Sequence, residues 1–223
     1  MTDPEPAPAG LEIGTYDLDE DLLSAVRAEG RTGMRLYRFP GTAVVIGRGG
    51  KTELELNIEN CLEDNVTVQR RRGGGCAVVL DPGNLVISVA LLLPGLGGIH
   101  KAYDDLTGWL IEGLARSGIP GVSREGITDL VLGDRKIGGG CIYRERGLLL
   151  YSTTLLYDPD IDLTERYLRH PPREPDYRRG RTHREFMTSL AAIDDTEDIE
   201  KFRQRLDSLL KQHPWFDNQA TFI

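Results

Sequence analysis

Apolar positions along the chain follow two rhythms, and the shorter one dominates. Leu18, Leu22 and Val26 share one helical face, and Gly30 follows as a C-terminal stop. LYRF (36–39) and AVVIG (43–47) are β-rich runs separated by Pro40-Gly41, a pattern that predicts a hairpin. A short helix is expected around Glu55 to Glu63, and VTVQR (66–70) reads as a strand. AVVL (77–80) and LVISVALLL (85–93) flank the turn residues DPGN and predict a second hairpin. Ile99, Tyr103, Leu106, Leu110 and Leu114 recur on one face over 99–117, and Gly118 ends that helix. DLVL and RKIGGG (129–140) meet at Gly133-Asp134 in a tight hairpin, and LLLYSTTLLY (148–157) adds another strand. A polar segment rich in Pro and Arg (158–184) precedes two helical patterns, the second carrying Ile199, Phe202, Leu206 and Leu209. Strands thus come mostly as hairpins and not singly between helices. The expected fold is α+β, a mixed or mostly antiparallel sheet flanked by helices.

Composition narrows the class. The 223 residues favour one domain over two, expected over 15–223 behind a flexible lead at 1–14, with no C-terminal accessory domain evident. Lys+Arg number 27 against Asp+Glu 35, a formal charge of −8, which argues against a nucleic-acid partner or an anionic membrane surface. No helix-turn-helix pattern precedes the domain. MTDPEPAPAGLEIG lacks the basic start and apolar run of a signal peptide, and no apolar stretch reaches bilayer-spanning length. Cys61, Cys76 and Cys141 are odd in number and show no close pair. These features predict a reduced, cytoplasmic protein. His100, His170, His183 and His213 have no metal-ligand spacing, so no metal-binding residues are assigned.

Three segments carry candidate chemistry. Gly50-Lys51-Thr52 follows a strand as the end of a P-loop would, but the glycine required five residues earlier is Val45, so it reads as a surface turn. In RRRGGGCAVVLDPGN (70–84), successive glycines let backbone N–H groups approach a ligand, and Arg70, Arg71 and Arg72 supply charge suited to a phosphate or carboxylate. A glycine hinge with exposed arginines fits the same residues. In GDRKIGGGCIYRERG (133–147), Lys136 sits beside a second triple glycine and can place an ammonium on an acyl carbonyl or phosphate, although a solvated turn lysine is the bland alternative. GGGC occurs at both 73–76 and 138–141, a hint that the two segments line one site.

Taken in order, these segments resemble the lipoate–protein ligase A family, which shares its architecture with biotin protein ligases and octanoyltransferases. The resemblance runs from LYRFPGTAVVIGRGG through RRRGGGCAVVLDPGN and DLVLGDRKIGGG to PDYRRGRTHREFMTSL (175–190), roughly residues 16 to 190. It places the family's paired arginines on Arg70 and Arg71. The glycine loop falls on Gly74, Gly75 and Cys76 with Ala77 behind it, the acidic residue on Asp81, the Gly-Asn on Gly83 and Asn84, and the catalytic lysine on Lys136 with Gly139 nearby. The resemblance implies two steps: ATP, with Mg²⁺, converts lipoate or octanoate to an acyl-adenylate, and a carrier-domain lysine then attacks the mixed anhydride. Implied carriers are the lipoyl domain of a 2-oxoacid dehydrogenase or the glycine cleavage H protein, with a separate accessory subunit as a further partner. An apolar tunnel between sheet and helix would take the acyl chain.

The chain also departs from the family pattern. Cys76 replaces the third glycine, Leu80 stands where many members have His, and Gly138-Gly139-Gly140-Cys141-Ile142 replaces Ser-Gly-Ser-Ala-Gln. Two alternatives therefore stay open. One is an octanoyl or lipoyl transferase fed by an acyl-carrier thioester, with Cys141 or Cys76 as nucleophile, against the reading of each as a small apolar filler. The other is a non-catalytic subunit that binds an acyl group or a carrier. Arginines at 166, 169, 173, 178, 179, 181 and 184 form a strip suited to an acidic carrier domain or to nucleotide phosphates, or simply a solvated basic loop.

Overall fold

The computed structural model describes residues 8, 10–95, 97–193 and 198–212. The expected lead at 1–14 and His213 therefore lie partly or wholly outside the described residues, although within that lead Leu11 is already buried. The elements are, in chain order, β1 (Ile13–Thr15), α1 (Glu20–Glu29), β2 (Gly33–Arg38), β3 (Ala43–Ile46), α2 (Thr52–Glu55), α3 (Ile58–Glu63), β4 (Thr67–Arg70), β5 (Val78–Leu80) and β6 (Asn84–Leu92). There follow α4 (Ile99–Arg116), β7 (Val122–Glu125), β8 (Asp129–Leu132), β9 (Arg135–Glu145), β10 (Leu148–Leu156), α5 (Ile161–Tyr167), α6 (His183–Phe186) and α7 (Ile199–Lys211).

These strands make two sheets and not one. The larger is antiparallel in the order β2-β6-β10-β9-β8-β7. The smaller is mixed, in the order β1-β4-β3-β5, with parallel pairing of β4 to β1 and β3. The α+β expectation holds, and so does the β8–β9 hairpin, whose turn glycine Gly133 has φ 63.

The two other expected hairpins do not form. β2 and β3 face each other in sequence across Pro40-Gly41, yet β2 joins β6 in the large sheet and β3 joins the small one. Likewise β5 pairs with β3 while β6 enters the large sheet, so DPGN carries the chain between sheets. A turn signal shows where the chain reverses and not which strands it pairs. Asp81 and Asn84 fasten this crossover. The Asp81 carboxylate accepts from Gly83 N at 2.6 Å and Asp160 N at 2.7 Å, while Asn84 Oδ1 accepts from Asp81 N at 2.8 Å. Gly83 is obligatory there, because a Cβ would overlap the Asp158 carbonyl.

Helix registers differ in detail. α1 begins after Leu18, which packs beside Phe39 and Val45 in a separate cluster, and Leu23 takes the buried place with Val26. The helix expected over Glu55–Glu63 breaks into α2 and α3 at Leu56, which is extended, fully buried and bridged to Leu168. In α7, Phe202, Leu206 and Leu210 face the core at i, i+4 spacing, and Leu209 does not.

β6 is buried at eight of its nine positions. Leu85, Ile87, Val89 and Leu91 pack with Leu106, Leu110 and Leu114 of α4 and with Phe202 and Leu206 of α7. Each such side chain contributes about 1.5–3 kcal/mol. The opposite face meets α1 at one end and the small sheet at the other. Among the described residues no helix is long and apolar enough to cross a membrane. Replacing Asp81 by Ala strands two backbone donors at the crossover. It should lower unfolding free energy by about 2–3 kcal/mol in urea titration, and an unchanged midpoint would mean the crossover is held some other way.

Candidate active site

The large sheet presents two rows of side chains to the small sheet. One runs Tyr37–Val86–Thr154–Gly139–Asp129 across β2, β6, β10, β9 and β8; the other runs Arg35–Ser88–Ser152–Cys141. Their central members are small, so the face is hollow where the small sheet's Val45, Val78 and Leu80 lie over it. The result is a cavity of about 700 Å³ between the two sheets, on the face away from α4 and α7. This corrects the expected tunnel between sheet and helix: the helical face is filled by leucines and aromatics.

Lys136 reaches this cavity through an irregularity. Alternation along a strand puts residues three apart on opposite faces. Between β8 and β9, however, Leu130 pairs with Gly138 and the next residue, Val131, pairs with Lys136. Ile137 is the extra residue, buried in the helical core, and the slip turns Lys136 onto the same face as Gly139. There the Lys136 ammonium lies 2.7 Å from Asp129 Oδ1, and Asp129 Oδ2 accepts from Tyr177 OH at 2.8 Å. A Cβ on Gly139 would stand 3.1 Å from both Lys136 Nζ and Cε, so the glycine makes the room the ammonium occupies.

The two GGGC segments abut, as their echo suggested. A Cβ on Gly73 would overlap Cys141 Sγ, and one on Gly47 would overlap the Gly75 carbonyl. The first segment is a loop, but the second is β-strand. The loop is held by its arginines. Arg70 Nη1 donates to the carbonyls of Gly47 at 2.9 Å and Gly50 at 3.0 Å, and Arg71 donates to Val45, Gly74 and Cys76 at 2.8–3.0 Å. Arg72 faces away, paired to Glu20 at 2.6 Å.

Of the residues singled out from sequence, Lys136, Arg71, Gly75, Cys76, Ala77, Gly139 and Cys141 line the cavity. Arg70, Gly74, Asp81 and Asn84 are not part of its wall; their geometry is that of loop and crossover supports. The structure adds Glu55, Asp129 and Tyr177, which sequence reading passed over, and brings Arg178 of the arginine strip and His183 to the same wall. Glu55, almost fully buried, accepts from Lys51 N at 3.1 Å and Ala77 N at 2.5 Å and so ties the IGR loop to the glycine loop. Asp129, Tyr177, Arg178 and His183 come from β8 and the segment after α5. Asp129 could have been found as the acid opening the hairpin that carries Lys136; Glu55 had no such signal.

Electrostatics bear on the two thiols. Burial pushes Cys141 above its ordinary 9.0, against the pull of Arg71, and burial followed by the Glu55 charge pushes Cys76 up against Lys136. Both stay protonated at neutral pH, the weaker form of a nucleophile. His183 is pulled below 6.5 by burial and then by Arg178, so it stays neutral. Among the described residues no three His, Cys, Asp or Glu side chains stand together to hold a metal ion.

The lipoyl protein ligase A/B catalytic domain model matches residues 15–210, and the chain belongs to that family. A Mycoplasma genitalium protein named Probable lipoate-protein ligase A is 31% identical over 152 residues, covering 68% of this chain and 44% of that one. Lipoate-protein ligase LplJ of Bacillus subtilis is 27% identical over 172 residues, 77% of this chain and 51% of its own. The chain thus spans about half the length of the curated relatives it matches. Among solved structures, a lipoate-protein ligase A bound with ATP superposes with TM-score 0.70 at 21% identity, over 85% of this chain and 76% of that one. The bipartite lipoate protein ligase of Thermoplasma acidophilum gives TM-score 0.69 at 21% identity, over 91% and 81%. These two likenesses establish the shared fold.

The raised thiols have a measurable consequence. Iodoacetamide should label Cys76 and Cys141 more slowly at pH 7.5 than an unperturbed thiol, with rates climbing as pH passes 9.0. Peptide mass mapping reads each site separately, and fast labelling of either at neutral pH would contradict its burial.

Proposed function

We propose that this chain is the adenylating part of a lipoate–protein ligase: it activates lipoate or octanoate with ATP and passes the acyl group to a carrier-domain lysine. The observation that carries this reading is Lys136, turned by a register slip into a cavity with an apolar wall on one side and an ionic cluster on the other. The acyl carboxylate attacks the α-phosphorus of ATP, pyrophosphate leaves, and Lys136 faces the negative charge that builds on phosphate and carbonyl oxygens. The carrier amine then attacks the acyl carbon, AMP leaves with the C–O bond electrons, and the amine's proton goes to solvent. Asp129 holds the ammonium in place, and Val45, Val78 and Val86 flank the acyl chain. Mg²⁺ would travel with the ATP phosphates.

The partners follow from the same reading. The carrier is a lipoyl domain of a 2-oxoacid dehydrogenase or a glycine cleavage H protein. A neighbour in fold is a bipartite ligase, so a separate accessory subunit belongs to the proposal. A transferase fed by an acyl-carrier thioester is the second reading, favoured by two thiols on the cavity wall and opposed by the burial that keeps both protonated.

Intact-mass analysis of a lipoyl domain incubated with the protein decides between them. Acylation should require ATP, fall about 10²- to 10³-fold in kcat/KM for Lys136→Ala, and fall on the order of 10- to 100-fold for Gly139→Ala, with melting temperatures near wild type. Acylation from octanoyl-acyl carrier protein alone would establish the transferase, and none from either donor would contradict both.

A further inference from the structure

Seven arginines between 166 and 184 read as a uniform basic strip, but the fold uses them differently. Arg166 pairs with Asp64 and Glu63, Arg169 donates to the Glu53 carbonyl, Arg181 pairs with Asp134, and Arg184 with Asp162. Arg173 and Arg179 are exposed. Arg178 alone among the seven is buried, at 4% exposure, and it forms part of the cavity wall.

Its surroundings hold it without satisfying it. Nε donates to the Arg181 carbonyl at 3.0 Å, and the guanidinium lies 4.8 Å from the Phe186 ring centre. Among the described residues the nearest carboxylate oxygen, on Glu174, is 3.7 Å from Nε and already 2.8 Å from His170. Nη2 is buried with no hydrogen-bond partner. A buried cation with an orphaned donor is costly unless something anionic completes it. Burial pulls its pKa below the usual guanidinium value, ahead of any carboxylate's effect. Of the cavity's other cations, Lys136 is paired with Asp129, Arg71 and Arg169 donate to carbonyls, and Arg173 is exposed to solvent.

We propose that Arg178 is the anion-holding residue of this cavity, completing its guanidinium with a phosphate oxygen of the bound nucleotide. The charge that the sequence pattern places on Arg70 and Arg71 is thereby supplied from the segment after α5. This rests on the reading of the cavity as an adenylate site. Phe186 below and the Arg181 carbonyl beside it fix the plane of the fork, which suits the directed geometry of phosphate better than a flexible ammonium does.

Calorimetric titration with AMP, adenosine and inorganic pyrophosphate tests it, on wild type, Arg178→Gln and Arg178→Lys. The glutamine variant should bind AMP about 10- to 100-fold more weakly and adenosine equally well, with the lysine variant between. Its unliganded melting temperature should hold or rise, because a buried charge with an orphaned donor has gone. Equal AMP affinity in wild type and Arg178→Gln, or parallel losses for AMP and adenosine, would overturn the proposal. If wild type binds pyrophosphate in an Arg178-dependent way but neither AMP nor adenosine, the anion site stands and the adenylate reading fails. If wild type binds none of the three, the proposal falls with it.

Discussion

The one-residue slip between β8 and β9 is the constraint on which the site depends. In a regular ladder Lys136 and Gly139 would point to opposite faces, and the lysine would be driven into the leucine-packed layer beneath α4 and α7. A buried, unpaired ammonium there would cost several kcal/mol. Ile137 fills that layer instead, fully buried, and Lys136 emerges beside Asp129. The spacing Lys-Ile-x-Gly is thus a structural statement: an apolar residue to absorb the slip, and a glycine to leave space for the ammonium.

The second sheet completes what the slip begins. Asp81, Gly83 and Asn84 carry the chain from one sheet to the other, and Glu55, Arg70 and Arg71 bind the loops that close over the hollow face. Arg70, Arg71, Asp81 and Asn84, which look like ligand-binding chemistry in the sequence, also act as fasteners. They bond to carbonyls and amides of the protein itself, and Lys136, Asp129, Tyr177, Arg178 and His183 stand with Arg71 on the cavity wall.

Much of this was legible in the sequence, and the limits have physical causes. The long helix at 99–116, the β8–β9 hairpin and the candidacy of Lys136 are local readings, set by periodicity, a turn glycine and a motif. The adjacency of the two GGGC segments was also foreshadowed. The partition into two sheets was not, because Pro40-Gly41 and DPGN mark reversals equally well whether the strands pair or part. The partners that Arg70 and Asp81 take within the fold were hidden for a related reason: a charged side chain beside glycines reads the same whether or not it also bonds the protein's own backbone. Arg178 was lost among six neighbours of the same type, since burial distinguishes them and composition does not.

The most direct test of the account is the crystal structure of the protein with an acyl-sulfamoyl-adenosine, a stable mimic of the acyl-adenylate. The acyl chain should lie between the two sheets, against Val45, Val78 and Val86, with Lys136 Nζ drawn to the sulfamate or acyl oxygen. A ligand bound elsewhere, or one that leaves the Lys136–Asp129 pair facing empty space, would contradict it.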